Sequence, residues 1–187
     1  MNLKSLLAAF FVTIGCSSGV SKSSLTTVDS VDLKRYSGTW YELASYPQFF
    51  ERGCSSVKAT YTPKDGYIEV FNQSIKKNKP NNIKGKAFVV PNSGNARLKV
   101  QFFWPFKGNY WIIDLSPDYS WAVVSDPKKK TLWILSRTPQ MEDSLYNSLI
   151  AKLVNRGFDR EKIVRMKQEE GMRGEESGKN PRPLKVW

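Results

Sequence analysis

The sequence predicts an all-β chain with one helix. It reads as an eight-stranded antiparallel up-and-down β-barrel, then a C-terminal α-helix and a short ninth strand. Three observations lead there. Residues 39–136 break into eight β-rich runs with mostly short, turn-rich connections. The apolar period then changes from about two to about 3.6. A chain of 187 residues, 40% hydrophobic and 13% aromatic, has the content for one domain with its own core.

The runs are Thr39–Ser45, Ser56–Thr62, Tyr67–Gln73, Asn82–Val90, Ala96–Phe103, Asn109–Leu115, Tyr119–Ser125 and Thr131–Ser136. Pro63-Lys64-Asp65-Gly66, Pro91-Asn92-Ser93-Gly94, Pro117-Asp118 and Asp126-Pro127 supply turns between them. Eight such strands can close on themselves around side chains or one small ligand. Met141, Leu145, Leu149, Ile150, Leu153 and Val154 then form one helical stripe, entered after Pro139 and ended near Gly157. That stripe must pack on something, and the barrel wall is available. Lys162–Gln168 reads as the ninth strand, and residues 169–187, rich in Glu, Gly, Lys and Pro, read as a disordered tail.

The N-terminus is of a different kind. Lys4 precedes the apolar run Leu6–Ile14, which has the length of a signal-peptide core and is too short to span a bilayer. Gly15-Cys16 follows, so residues 1–15 resemble a bacterial lipoprotein signal and Cys16 its lipidated first mature residue. Residues 16–28, rich in Ser, would then be the tether, and Ser17 after the Cys resembles the pattern sent to the outer membrane. The other reading is an ordinary secretory signal with Cys16 incidental. A Cys16–Cys54 disulfide competes with acylation, because it needs Cys16 free. Otherwise Cys54 is a small buried or rim residue.

Charge and composition narrow the chemistry. Lys and Arg number 29 against 17 Asp and Glu, a formal net charge of +12, and there is no His. That excludes Ser-His-Asp and Cys-His nucleophile systems, His-ligated zinc and a His base. No metal site and no cofactor is expected. The positive surplus suits an anionic partner, nucleic acid or an anionic membrane surface. Export argues against nucleic acid. Lys76, Lys77, Lys79, Lys84 and Lys86 cluster in the third connection and fourth run. Lys128-Lys129-Lys130 lies in the seventh connection, expected to face the closed end. Both clusters read either as solvated loops or as contacts for lipid phosphates.

Three ordered motifs sit on this pattern: Gly38-Thr39-Trp40-Tyr41-Glu42, Asp118-Tyr119 with Trp121-Ala122-Val123-Val124, and Leu132-Trp133-Ile134-Leu135-Ser136-Arg137. They resemble the sequence signatures of the lipocalins. Phe50-Glu51-Arg52-Gly53, Ala59-Thr60-Tyr61, Val100–Phe106, Ser136-Arg137-Thr138-Pro139 and Gly157-Phe158-Asp159 narrow the resemblance to the bacterial outer-membrane branch. The resemblance covers residues 29–168. It implies that Trp40 plugs the closed end, that Arg137 lies across its indole, and that Gly38 admits the chain tightly there. If Arg137 crosses the floor, Trp133 and Leu135 share its parity and point inward. The resemblance further favours Phe71, Phe88, Phe103, Phe106, Tyr110 and Trp121 as cavity or rim residues, although packing outside the cavity is an equal reading for any one of them. Phe49, with Phe50, would fall in the first loop at the mouth.

The implied function is a non-enzymatic, lipid-anchored carrier. It would hold a fatty acid, lysophospholipid or similar long-chain lipid, for lipid storage, transport and membrane maintenance under stress. Its place would be the outer membrane, on the periplasmic face, with that lipid surface and no nucleic acid as partner. A homodimer is left open. The alternatives are a carrier of another hydrophobic molecule and a lipid-modifying enzyme of the same fold. Haem ligation lacks a His, and Cys54, Glu42, Glu69 and Asp114 are the reactive groups an enzyme would have to use.

Overall fold

The computed structural model describes residues 25–48 and 53–166, together with Gln168. The expected signal (1–15), Cys16, most of the tether, Phe49 and the whole C-terminal tail (169–187) lie outside the described residues.

Eight strands form the barrel: β1 Gly38–Ser45, β2 Cys54–Lys64, β3 Tyr67–Lys76, β4 Lys79–Val89, β5 Arg97–Gln101, β6 Gly108–Leu115, β7 Trp121–Ser125 and β8 Leu132–Ser136. Each pairs antiparallel with the next, and β1 pairs with both β2 and β8, which closes the sheet. Closure removes the exposed edges that an open sheet would present. β1 is shared along its length. Gly38–Tyr41 pairs with β2, and past a bulge Ala44 and Ser45 pair with the ninth strand, β9 Val164–Arg165.

Strand direction alternates, so the connections alternate between two ends. The β1–β2, β3–β4, β5–β6 and β7–β8 connections lie at one end. The floor at the other end carries the start of β1 and a short helix, α1 Leu33–Tyr36. Asp32 caps α1 by accepting from the Lys34 and Arg35 amides. This corrects the expected position of Lys128–Lys130. Arg137 follows β8 at the floor, so the connection before β8 must lie at the opposite, open end. There Lys129 Nζ donates to the Arg156 carbonyl at the end of the long helix.

Apolar side chains fill two compartments. One cluster lies inside the barrel, among it Trp40, Val70, Ala87, Leu98, Ala122, Val124 and Leu135. The second lies between the barrel wall and α2 Asp143–Asn155, and includes Val123, Ile134, Tyr146, Leu149, Ile150 and Leu153. Strand β7 therefore buries both faces: Ala122 and Val124 inward, Val123 under the helix. Val154, expected in the helix stripe, is 41% exposed, and Tyr146 takes part in the buried face instead.

Several strand bounds differ from the sequence expectation, and one short helix was not expected. β5 ends at Gln101, and Phe102–Lys107 is a loop around Pro105, which lacks an amide for a ladder. β9 shortens to two residues. α1 has one turn, too few residues to show an apolar period.

Candidate functional site

The closed end is built around Trp40, which is fully buried. Its indole N–H donates to the Tyr36 carbonyl at 2.7 Å. The Arg137 guanidinium stacks 3.8 Å from the Trp40 ring centre. It also donates to three carbonyls: Thr39 at 2.8 Å, Arg35 at 2.6 Å and Tyr119 at 3.3 Å. The planar fork of Arg can satisfy three chain segments at once, which a Lys cannot. Gly38 has φ +91°, and a Cβ there would lie 3.4 Å from Arg137 Nη1. This backbone favours glycine, and it sets the guanidinium over the indole.

Above the floor sits a buried trio of phenols. Tyr36 and Tyr110 hydroxyls are 2.8 Å apart, and those of Tyr61 and Tyr110 are 3.0 Å apart. Burial raises all three pKa values. Tyr61 is pushed up to about 12, chiefly by burial, with the negative charge of Glu42 adding to the effect. Tyr36 and Tyr110 are also raised by burial. At neutral pH the trio is protonated and offers hydrogen-bonding hydroxyls, with no phenolate to act as base or nucleophile.

A cavity of about 710 Å³ rises from this base to the open end. That lies within the range of about 300–1,000 Å³ typical of small-molecule sites. Val57, Ala59, Val70, Val100, Phe102, Trp133 and Leu135 supply apolar wall. Gly85 makes room for one of them, since a Cβ there would meet the Phe102 ring at 2.7 Å. Tyr61, Tyr110, Asn72, the buried Glu42, Gln48, Asn109 and Thr131 add polar groups. The Asn72 Oδ1 atom is buried without a hydrogen-bond partner among the described residues. At the mouth the lining passes to Phe103, Phe106, Lys107, Asp126 and Lys130.

The residues singled out from sequence divide by face. Trp133, Leu135 and Tyr110 line the cavity, and Phe103 and Phe106 stand at its mouth. Phe71, Phe88 and Trp121 are corrections, because none of them faces the cavity. Their neighbours Val70, Ala87 and Ala122 point inward, and strand alternation turns these three outward. Phe71 lies under Lys84, Phe88 lies against Tyr67 and Lys107, and Trp121 packs against the helix-side cluster. Cys54 opens β2 at the mouth end, half-buried, with no disulfide partner among the described residues. Tyr61, Asn72 and Phe102 line the cavity without a sequence expectation there, and Tyr36 joins the tyrosine hydroxyls from the floor. Tyr61 and Phe102 stood inside quoted motifs, but nothing local marked their direction.

The comparisons agree with this architecture. A family model for the Lipocalin-like domain matches residues 31–168. The outer membrane lipoprotein Blc of Citrobacter freundii is 39% identical over 165 residues, covering 87% of this chain and 93% of that protein. Blc of Escherichia coli (strain K12) is 38% identical over 174 residues, 90% of this chain and 98% of its own. Among solved structures, insecticyanin from the tobacco hornworm superposes with a TM-score of 0.66 at 17% identity, over 80% of this chain and 87% of that one. A closed eight-stranded barrel with one flanking helix, floored by a Trp and an Arg and matched along its length by these relatives, places the chain in the lipocalin family.

Proposed function

We propose that this protein is a lipid-anchored carrier that stores and transfers a long-chain lipid, a fatty acid or lysophospholipid, at the outer membrane. The observation that carries the reading is the cavity of about 710 Å³, closed at its base by Trp40 and lined mainly by apolar side chains. An acyl chain gains about 0.8 kcal/mol per buried methylene, so ten methylenes supply about 8 kcal/mol before ordering costs. No bond needs to be made or broken.

The charge layout supports a tail-first ligand. Glu42 is buried in the cavity wall, and an anionic head group lowered beside it would meet like charge in a poorly solvated place. Lys107 and Lys130 stand at the mouth, where a phosphate or carboxylate can keep water and gain a cation. The kinship with outer membrane lipoproteins Blc supports acylation at Cys16 and a periplasmic location. Two or three acyl chains on Cys16 would anchor the protein firmly.

Titration with lysophospholipid, and separately with a long-chain fatty acid, tests the reading through Trp emission. Trp133 and Trp40 border the cavity, so a filled cavity should shift and saturate their fluorescence. An unchanged spectrum with every long-chain lipid tried overturns the proposal.

A further inference from the structure

The β5–β6 loop presents three large apolar side chains to solvent. Phe103 is 69% exposed, Trp104 86% and Phe106 77%. The other exposed large apolar residues among those described are single valines elsewhere on the surface. The three are held in a formed turn, with the Phe106 amide donating to the Phe103 carbonyl at 2.9 Å. An aromatic cluster of this kind on a soluble face marks an interaction surface.

The same end of the barrel is basic. Lys76, Lys77 and Lys79 flank the β3–β4 turn, and Lys128 and Lys130 stand on the β7–β8 loop. Asp126 is the acidic side chain among the described residues of the barrel's own mouth loops; Asp159, beside Tyr46 after β1, is paired with Lys162. The Asp126 carboxylate is engaged by the amides of Lys128, Lys130 and Thr131. The floor end differs: Asp29, Asp32, Asp65 and Asp118 lie there among its basic residues. Arg156 at the end of α2 ties the β7–β8 loop to the wall: its carbonyl accepts from Lys129, and its guanidinium donates to the Ile113 and Thr26 carbonyls.

We propose that the open end is a bilayer-docking face: Phe103, Trp104 and Phe106 enter the interfacial zone of an anionic phospholipid membrane while the surrounding lysines sit on its phosphates. Aromatic side chains favour that depth, and each lysine near an anionic surface strengthens attachment about fivefold. Phe103 and Phe106 also border the cavity. The docked mouth therefore faces acyl chains directly, and a lipid can enter without crossing water. Docking stands independently of the carrier reading; this route of entry rests on it.

The test uses the full chain, reconstituted in vesicles of phosphatidylglycerol and phosphatidylcholine with brominated acyl chains. Wild type is compared with Trp104→Phe, and the difference spectrum isolates Trp104. Docking predicts a blue-shifted Trp104 emission that brominated lipid quenches. Lys76→Gln, Lys77→Gln and Lys79→Gln together should lower the docking equilibrium by roughly a hundredfold. Trp104 is so exposed that its replacement leaves the fold intact, which melting verifies. An unquenched, water-like Trp104 overturns the proposal, as does equal quenching in purely zwitterionic vesicles. A blue shift without vesicles, accompanied by a doubled mass in sedimentation, assigns the face to a second copy and also overturns it. Solution titration with lysophospholipid is run in parallel. Quenching without lysophospholipid binding retains docking and removes the carrier reading, and the reverse result does the opposite.

Discussion

Replacing Arg137 by alanine removes the floor's central contact and permits a quantitative forecast. The guanidinium stacks at 3.8 Å on a fully buried Trp40, a contact worth about 1–2 kcal/mol in such a place. Its hydrogen bonds to the Thr39 and Arg35 carbonyls are short and charge-assisted, worth about 1.5–3 kcal/mol each at most. The side chain keeps partial access to solvent, and water can reach some of the freed carbonyls, so these values do not simply add. A net loss of about 3–4 kcal/mol is expected, which for a domain of this size lowers Tm by about 8–12 °C. Thermal unfolding followed by far-UV circular dichroism measures it. Arg137→Lys should recover the charge but only part of the loss, since an ammonium cannot fork across three segments. Lipid affinity, measured well below the lowered Tm, should change less than stability. A variant with native Tm and abolished binding would refute the structural role and assign Arg137 to the ligand.

The remaining predictions concern the backbone, the phenols and the wall. Gly38→Ala forces a side chain into φ +91° beside Arg137 and should cost about 1–2 kcal/mol, read as a lower midpoint in urea. Folded Tyr61 keeps its proton up to about pH 12, whereas the unfolded chain releases it near 10. Stability should therefore fall as pH rises from 10 towards 12, by about 3 kcal/mol from this residue. Tyr61→Phe should flatten that fall in a pH series of melts, and an unchanged slope would exclude the residue as its source. Ala59→Phe grows into the cavity, so it should weaken lysophospholipid binding more than tenfold, at about 1.4 kcal/mol per decade, with little change in Tm. Phe71→Ala, outside the barrel, should leave the lipid titration unchanged; a lost response would put that face back in the site.

How much of this was legible follows from the reach of each pattern. The eight strands, their turns and the helix were readable because period and turn chemistry are local. The helix face was read nearly in full, with Val154 outside it and Tyr146 within it. The direction of β8 was also legible, since Arg137 provides an anchor and parity propagates along one strand to Leu135 and Trp133. It does not propagate across a connection of uncertain length. β3, β4 and β7 carry apolar residues on both faces, the inner ones filling the barrel and the outer ones meeting Lys stems or α2. Where both faces are covered, alternation of polar and apolar residues no longer labels the inside. Phe71, Phe88 and Trp121 were therefore misread. The end occupied by Lys128–Lys130 was available in principle, because strand directions must alternate, yet it required counting back from Arg137.

The motifs' resemblance to the lipocalins implied the Trp–Arg floor; by itself the sequence determined an all-β barrel with one flanking helix and a chain without histidine chemistry. Those features rest on residue type and short spacing, which the chain carries wherever it folds. Only the tertiary structure decided that Tyr36, Tyr61 and Tyr110 share one buried hydroxyl network, although 74 residues separate Tyr36 from Tyr110. It also decided that the aromatic turn and the lysine loops stand together around one opening. Both depend on closure of the sheet, where β1 meets β2 and β8, and on the register of every ladder between. A register is a property of paired strands, so no single stretch of sequence contains it.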